Sequence, residues 1–369
     1  LRIFREELDR NLERGFGPNS AFSASALAAP TYAAASISRE VDYVLPAGDD
    51  LLGVAQLTVQ PDSRLAGPAG AIEQAHGVRV LLHHDAAGLP VRRDPQRPLG
   101  GGDRMTLLGS LSALEALRID NAGGVSGALP PPPHQHPTER HDTVIVCGLG
   151  KVGYRVVQQL HRMRPRPRIV VVRLGDGRVD FPQHISRLDG VETIVGDARD
   201  PEVLRSAGIA RAYSVAALTA DDLLNLQIGL AARRARADVH VVLRVFSDVL
   251  AEKLADMFGI RTIYSTSGLA GATLAAAAVL GDIPHAFSAG GRLLSADQIV
   301  VRAGDPLDGR TVEAVRSQHD GLVIAQRHAG TACALPPHDT ALAAGDEITL
   351  LATIEALARL RSLLARSAA

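Results

Sequence analysis

From Thr143 onward the chain switches between two patterns of apolar and polar positions. Thr143–Cys147 is a short apolar, β-branched run, and further strand-like segments recur at Ile169–Val172, Val191–Val195, Tyr213–Leu218 and Val239–Val245. Runs of this length, bounded by polar residues, predict strands buried on both faces, as in a parallel sheet. Between them apolar residues return at helical spacing: Val152, Val156, Val157, Leu160 and Met163, then Leu223, Leu226, Leu230 and Ala231, then Leu250, Leu254 and Phe258. Asp200-Pro201 supplies a capping acid and a proline at the first helical position, and Gly259 supplies a stop. This alternation predicts an α/β fold with a Rossmann-like, doubly wound parallel sheet. After Pro284 the pattern changes to short strands at Gln298–Arg302, Leu322–Arg327 and Glu347–Leu351, with helices at Thr311–Ser317 and Ile354–Leu364. That segment predicts a small α+β domain, and Gly53–Ala116 repeats it.

The repeat extends further. Leu1-Arg2-Ile3-Phe4 corresponds to Leu243-Arg244-Val245-Phe246, an offset of 242 that persists through Leu8/Leu250, Phe16/Phe258, Gly17/Gly259, Leu27/Leu269, Leu57/Ile299, Leu65/Leu307 and Gly67/Gly309. After one inserted residue, Gly102-Asp103 corresponds to Gly345-Asp346. The chain is therefore read as two copies of one module, the first lacking its front half. Asn121 to His141 lies between the copies, and Pro130 to Pro133 within it favours an extended, semi-rigid linker. His134, His136 and His141 are read as solvated linker residues, with a metal site as the alternative.

Composition narrows the classes. Of 369 residues 46% are apolar and 21% charged, and the formal net charge is -1. That balance is normal for a globular protein and lacks the basic surface that nucleic acid requires. The two cysteines, Cys147 and Cys333, have no metal-ligand spacing, so a reducing compartment is expected. The most apolar stretch, Ala270–Leu280, is well short of the roughly 20 residues of a membrane helix. Its alanines suit either close packing on a neighbouring subunit or packing within the chain.

The chemistry concentrates at the carboxyl ends of the predicted strands. Gly148, Gly150 and Gly153 follow a strand and open a helix, the setting in which a GxGxxG loop binds a nucleotide. The first glycine permits the turn, the second admits a phosphate, and the third lets helix and strand pack. The helix amino terminus then offers N–H groups to an anion. The second strand ends in Arg173, where dinucleotide sites usually carry an acid for the ribose hydroxyls. Arginine cannot accept those bonds, although it pairs with phosphate. The readings are NADP(H), a mononucleotide polyphosphate such as ADP or ATP, or an exposed arginine beside a pocket that binds nothing. Asp197, in Gly196-Asp197-Ala198, either accepts a bond from an adenine amino group or caps the following turn. Thr219 either caps the helix beginning near Asp221 or contacts ligand. Arg244 ends the fifth strand in an apolar run and calls for a partner, either bound phosphate or a structural carboxylate.

Taken together, Ile145 to Gly153, Gly196-Asp197-Ala198-Arg199-Asp200, Leu218 to Asn225 and Leu243-Arg244-Val245-Phe246 resemble the RCK (regulator of conductance of potassium) domains, also called Trk-type NAD-binding domains. Leu307-Asp308-Gly309-Arg310-Thr311 and Ala344-Gly345-Asp346 resemble the C-terminal RCK subdomain. The resemblance implies five parts: a remnant of a first RCK-N domain (1–46), its C-terminal subdomain (47–120), the linker (121–141), a second RCK-N nucleotide-binding domain (142–285) and its C-terminal subdomain (286–369). It implies a nucleotide cleft lined by Gly148, Leu149, Gly150, Lys151, Val152, Gly153, Arg173, Asp197, Ala198, Thr219, Asn225 and Arg244. The ligand would be NAD(H), NADP(H), ADP or ATP. It further implies a homo-oligomeric ring on the cytoplasmic, inner face of the plasma membrane, coupled to a potassium channel or transporter pore on the same or a separate chain. No catalytic or metal site is expected. The rivals are an NAD(P)-dependent oxidoreductase, which would need a proton donor or base not evident here, and a ring scaffold whose pocket does not bind.

Overall fold

The structure, a computed structural model, describes residues 22–39, 41–47, 50–65, 67–123, 143–175, 184–185 and 187–367. The opening match around Leu1 to Gly17 and the linker histidines lie outside the described residues. In chain order, the first stretch holds helix α1 (Ala24–Ala35), strands β1 (Tyr43–Ala47) and β2 (Asp50–Thr58), helix α2 (Ala69–His76), strands β3 (Arg79–His84) and β4 (Arg104–Ser110), and helix α3 (Leu111–Asn121). The second stretch runs β5 (Thr143–Cys147), α4 (Lys151–Arg162), β6 (Arg168–Arg173), β7 (Val191–Val195), α5 (Pro201–Ser206) and β8 (Ala212–Ala217). It continues with α6 (Asp222–Ala235), β9 (His240–Val245), α7 (Asp248–Phe258), β10 (Ile263–Ser265) and α8 (Thr266–Leu280). The last holds β11 (His285–Ala289), β12 (Arg292–Val300), α9 (Val312–His319), β13 (Leu322–His328), β14 (Thr331–Ala334), β15 (Glu347–Thr353) and α10 (Ile354–Ser367). Two compact units result: one draws on Ser23–Val41 and Ser126–Ala270, the other on Asp42–Val125 and Gly271–Ala369.

The first unit is built on a six-stranded parallel sheet in the order β10-β9-β8-β5-β6-β7. The strand order reverses between β5 and β8, which opens a crevice at the carboxyl edge. The pleat sends Ile145 and Cys147 to one face and Val144 and Val146 to the other. Ile145 and Cys147 join Val170, Val172, Val241 and Leu243 under α5, α6 and α7. Val144 and Val146 meet Val152, Val156, Val157 and Leu160 of α4, together with Ala28, Ala29, Tyr32 and Ala33 of α1. Each valine or leucine withdrawn from water contributes about 1.5–3 kcal/mol, and each alanine methyl less, about 0.8 kcal/mol. α1 belongs by sequence to the first copy, yet it covers the sheet of the second. Its terminal carbonyls are met by that sheet: His240 Nε2 lies 2.7 Å from Ala35 O, and Ser214 Oγ donates to Ser36 O at 2.6 Å. Burial lowers the His240 pKa to about 4, so the ring is neutral and its Nε2–H donates.

The second unit contains two antiparallel sheets, β1-β2-β4-β3 and β11-β12-β15-β13-β14. They are the same module: Leu52 pairs with Ser110 in one, and Leu294 pairs with Thr353 in the other. The Gly-Asp pair shared by the copies is a turn lock. Asp103 accepts from Gly100 N at 3.1 Å and faces His83 Nε2 at 2.9 Å. Asp346 accepts from Ala343 N at 2.9 Å and from Gln326 Nε2 at 2.6 Å. Thr311 caps α9 by accepting from Ala314 N at 3.1 Å.

Candidate functional site

The crevice is assembled from residues that end strands. Gly148 has φ +100°, a conformation L side chains avoid, and its N–H donates to Val172 O at 2.9 Å. A methyl carbon on Gly148 would come within 2.8 Å of Thr219 Cγ2, and one on Gly153 would reach Gly148 O at 2.0 Å. Gly150 differs. It precedes α4 with extended backbone, and nothing lies within 4 Å of the position its Cβ would take. No side chain caps α4 and no acid occupies its first turn.

Thr219, Asn225 and Arg244 form one bonded cluster beside Gly148. Asn225 is fully buried, and its Oδ1 accepts from Thr219 N and Thr219 Oγ1, both at 2.8 Å. Its Nδ2 donates to Thr219 O at 3.1 Å and Arg244 O at 2.9 Å, which ties the ends of β8 and β9 together. The cap of α6 is Asp221, accepting from Leu224 N at 2.9 Å. Thr219 does not cap that helix; its hydroxyl accepts from Asp221 N at 3.2 Å. Arg244 donates through NH1 to Thr219 O at 3.0 Å and through Nε to Thr266 Oγ1 at 3.1 Å. Among the described residues both of its partners are neutral oxygens. Tyr32 Oη shares Thr266 Oγ1 at 3.1 Å and donates to Tyr264 O at 2.8 Å.

On the other side of the loop, Gly196 N donates to Arg173 O at 2.9 Å, which sets the arginine between the glycine loop and Asp197. Arg173 NH1 turns back to Leu174 O at 3.2 Å, and its buried Nε has no hydrogen-bond partner among the described residues. The Asp197 carboxylate is already clasped. Arg199 reaches it with Nε at 3.0 Å and NH2 at 2.6 Å, and that guanidinium holds the acid below the usual carboxylate range. Arg199 NH1 continues to Gln227 Oε1 at 3.0 Å. Val152 and Ala198 are core side chains, and Leu149 packs partly into the core, so these three offer the crevice only their backbones. Lys151 is exposed. Burial pushes the Cys147 thiol up to about 12, so it has no nucleophilic use. Among the described residues no cluster of three metal-ligating side chains occurs, and no helix is long and apolar enough to cross a membrane.

Residues 144–266 match the TrkA-N domain and residues 298–365 the TrkA-C domain, together about half of the chain. The chain belongs to the TrkA/RCK family. The Trk system potassium uptake protein TrkA homolog of Archaeoglobus fulgidus is 27% identical over 224 residues, which cover 60% of this chain and 49% of that protein. The voltage-gated potassium channel Kch of Escherichia coli K12 is 34% identical over 113 residues, covering 30% of this chain and 26% of that one. The chain thus spans about half or less of these relatives. The solved GsuK channel shares the fold, with a TM-score of 0.50, 19% identity, 99% of this chain and 62% of that one. In this RCK chain the sequence pointed to the loop and the strand ends. It did not point to Tyr32, Thr266, Arg199 or Gln227, whose roles depend on contacts across elements; the polar run Ser265-Thr266-Ser267 closing the last strand was the one available signal.

Proposed function

We propose that the crevice binds the phosphates of an adenine nucleotide at the amino terminus of α4, and that the chain is the regulatory, gating-ring region of a potassium channel or transporter. The observation carrying this reading is the contrast among the glycines: the Gly148 and Gly153 Cβ positions are filled by the protein, whereas that of Gly150 is open over an uncapped helix end. Arg244, bonded to neutral oxygens, retains a charge for phosphate and links it through Thr266 to the start of α8. A phosphate competing for that guanidinium would loosen the Thr266 bond, which is a route from occupancy to movement. Of NAD(H), NADP(H), ADP and ATP, the Arg173 nitrogen without a partner favours the species with an added phosphate, NADP(H) or a mononucleotide polyphosphate.

The domain organisation we propose follows the repeat: an RCK-N remnant over 1–46, RCK-C over 47–120, a linker over 121–141, RCK-N over 142–285 and RCK-C over 286–369. Leu223, Phe246, Val249 and Met257 are large, apolar and exposed, and Val249 and Met257 share one face of α7. They support assembly of a homo-oligomeric ring. A site on the cytoplasmic, inner face of the plasma membrane beneath a pore, in the same or a separate chain, completes the reading. The protein binds without turnover. Calorimetric titration with ATP, ADP, NAD, NADH and NADPH tests it: saturable binding that Arg244→Ala weakens is expected, and no binding by any of the five refutes it.

A further inference from the structure

The duplicated RCK-C module lets one copy serve as a reference for the other. Helices α2 and α9 have eight residues each and end in His76 and His319. Helices α3 and α10 start from equivalent caps: Ser110 Oγ accepts from Ala113 N, and Thr353 Oγ1 accepts from Ala356 N. Ten residues beyond the cap stand Asp120 in the first module and Leu363 in the second; six residues beyond stand Ala116 and Arg359. In the first module Asp120 Oδ2 lies 3.6 Å from His76 Nε2, so the carboxylate spans from α3 to α2. The second module keeps the histidine but has leucine where the acid stood. Among the described residues His319 and Arg366 have no hydrogen-bond or ion-pair partner.

A cavity of about 630 Å³ opens at this place, where the carboxyl end of α9 meets α10. Small-molecule sites fall in the range of about 300–1,000 Å³. Leu360 and Leu363 give the cavity an apolar floor, and Arg359, Arg366 and His319 stand around it. The two arginines are two helical turns apart and share one face of α10. Arg359 meets only Asp320, at 3.5 Å, with both side chains exposed; such a pair is worth little in water and is easily exchanged. Burial, and after it the nearby Arg310, hold the His319 pKa below its ordinary value, which places a third guanidinium close by. Asp320 is the one acid among the described residues that line the cavity. The result is a cationic opening over an apolar floor.

We propose that this cavity is a further ligand site, for a small soluble molecule that carries a carboxylate or phosphate on an apolar body. The anionic head takes the place that the Asp120 carboxylate holds in the first module, between the terminal histidine and the following helix. The apolar body lies on Leu360 and Leu363. Guanidinium groups accept either head, because both present paired oxygens to the arginine fork. The chain supplies the anion itself in one copy of the module and takes it from outside in the other. The site uses none of the crevice residues and does not depend on the nucleotide reading.

The test titrates the full chain calorimetrically with octanoate and with octyl phosphate, using octanol as the uncharged control. One saturable site is expected for at least one of the two anions, and none for octanol. Leu363→Asp gives the second module the acid of the first and should abolish that binding. The double variant Arg359→Gln/Arg366→Gln should weaken it about tenfold or more. Leu363 is half-buried, so the melting temperature of Leu363→Asp is recorded as well; if that variant unfolds, the exposed arginine pair decides alone. Nucleotide titrations, whatever they give for the wild type, should be the same in both variants, which separates failure of this site from failure of the crevice. No saturable uptake of either anion, equal uptake of octanol, or binding that survives both variants would overturn the site. So would attachment to phosphatidylglycerol vesicles with neither soluble anion bound.

Discussion

Replacing two glycines of the same loop with alanine should weaken binding in both cases but lower stability in only one. At Gly153 the new methyl carbon would sit 2.0 Å from Gly148 O, whereas comfortable carbon contacts begin near roughly 3.5 Å. The first turn of α4 or the loop must move by about 1.5 Å, an overpacking worth about 1–3 kcal/mol, here toward the upper end. Thermal unfolding should show a fall of roughly 5–10 °C, and nucleotide binding should fall with it because the loop is displaced. At Gly150 the methyl enters empty space from a backbone with φ -82°, which alanine adopts freely. Stability should stay within about 1 kcal/mol of wild type. Affinity measured by calorimetric titration should nevertheless drop about tenfold or more, about 1.4 kcal/mol, because the methyl stands where phosphate approaches the helix. A Gly150→Ala protein that is stable and binds nucleotide as tightly as wild type would show that no ligand uses this approach. A Gly153→Ala protein with an unchanged melting temperature would refute the packing argument.

Three further outcomes follow from the same geometry. His240 and His285 are both lowered to about 4 from an ordinary 6.5 by burial, so between those values the unfolded chain binds more protons than the folded one. Stability is complete above pH 6.5 and is lost as pH falls toward 4, up to roughly 3 kcal/mol for each ring; melting curves at pH 7.5 and pH 5 should separate, and His240→Gln, which keeps a donor for Ala35 O, should narrow the gap. Asn225→Ala removes the carbonyl acceptor and amide donor joining Thr219 to Arg244, and chemical denaturation should register a loss of roughly 2–4 kcal/mol. A maleimide should label one thiol in the native protein, at exposed Cys333, and both after unfolding, because Cys147 is buried; labelling of both in the native state would contradict the buried strand.

What the sequence made legible followed periodicity. The five predicted strands of the parallel sheet lie within a residue of their observed places at every end; four are largely buried apolar segments, whereas β7, expected to be buried, is the edge strand of the sheet and largely exposed. β10 escaped notice because it is only Ile263–Ser265, flanked by polar residues. β12 begins at Arg292, six residues before the expected Gln298; Ser295 and Asp297 disguise it, although both are buried and Asp297 is neutralised by Arg361 at 2.7 Å. The crevice was legible where glycine or a strand end defined it. It was not legible where a side chain chose between partners: no spacing rule says that Asp197 turns to Arg199 two residues on, or that Asp221 takes the cap of α6 from Thr219.

Helix α1 carries one more consequence. On paper the copies look like beads on a string, separable at the proline-rich stretch. In three dimensions the helix from the earlier bead is stitched into the later one, its last carbonyls held by His240 and Ser214. A fragment cut to begin at Asp142 would therefore bare the strip formed by Val144, Val152 and Val156 and forfeit the lid that shields it. A change at Ala28, Ala29 or Tyr32, in the earlier segment, is therefore felt in the core of the later segment's sheet.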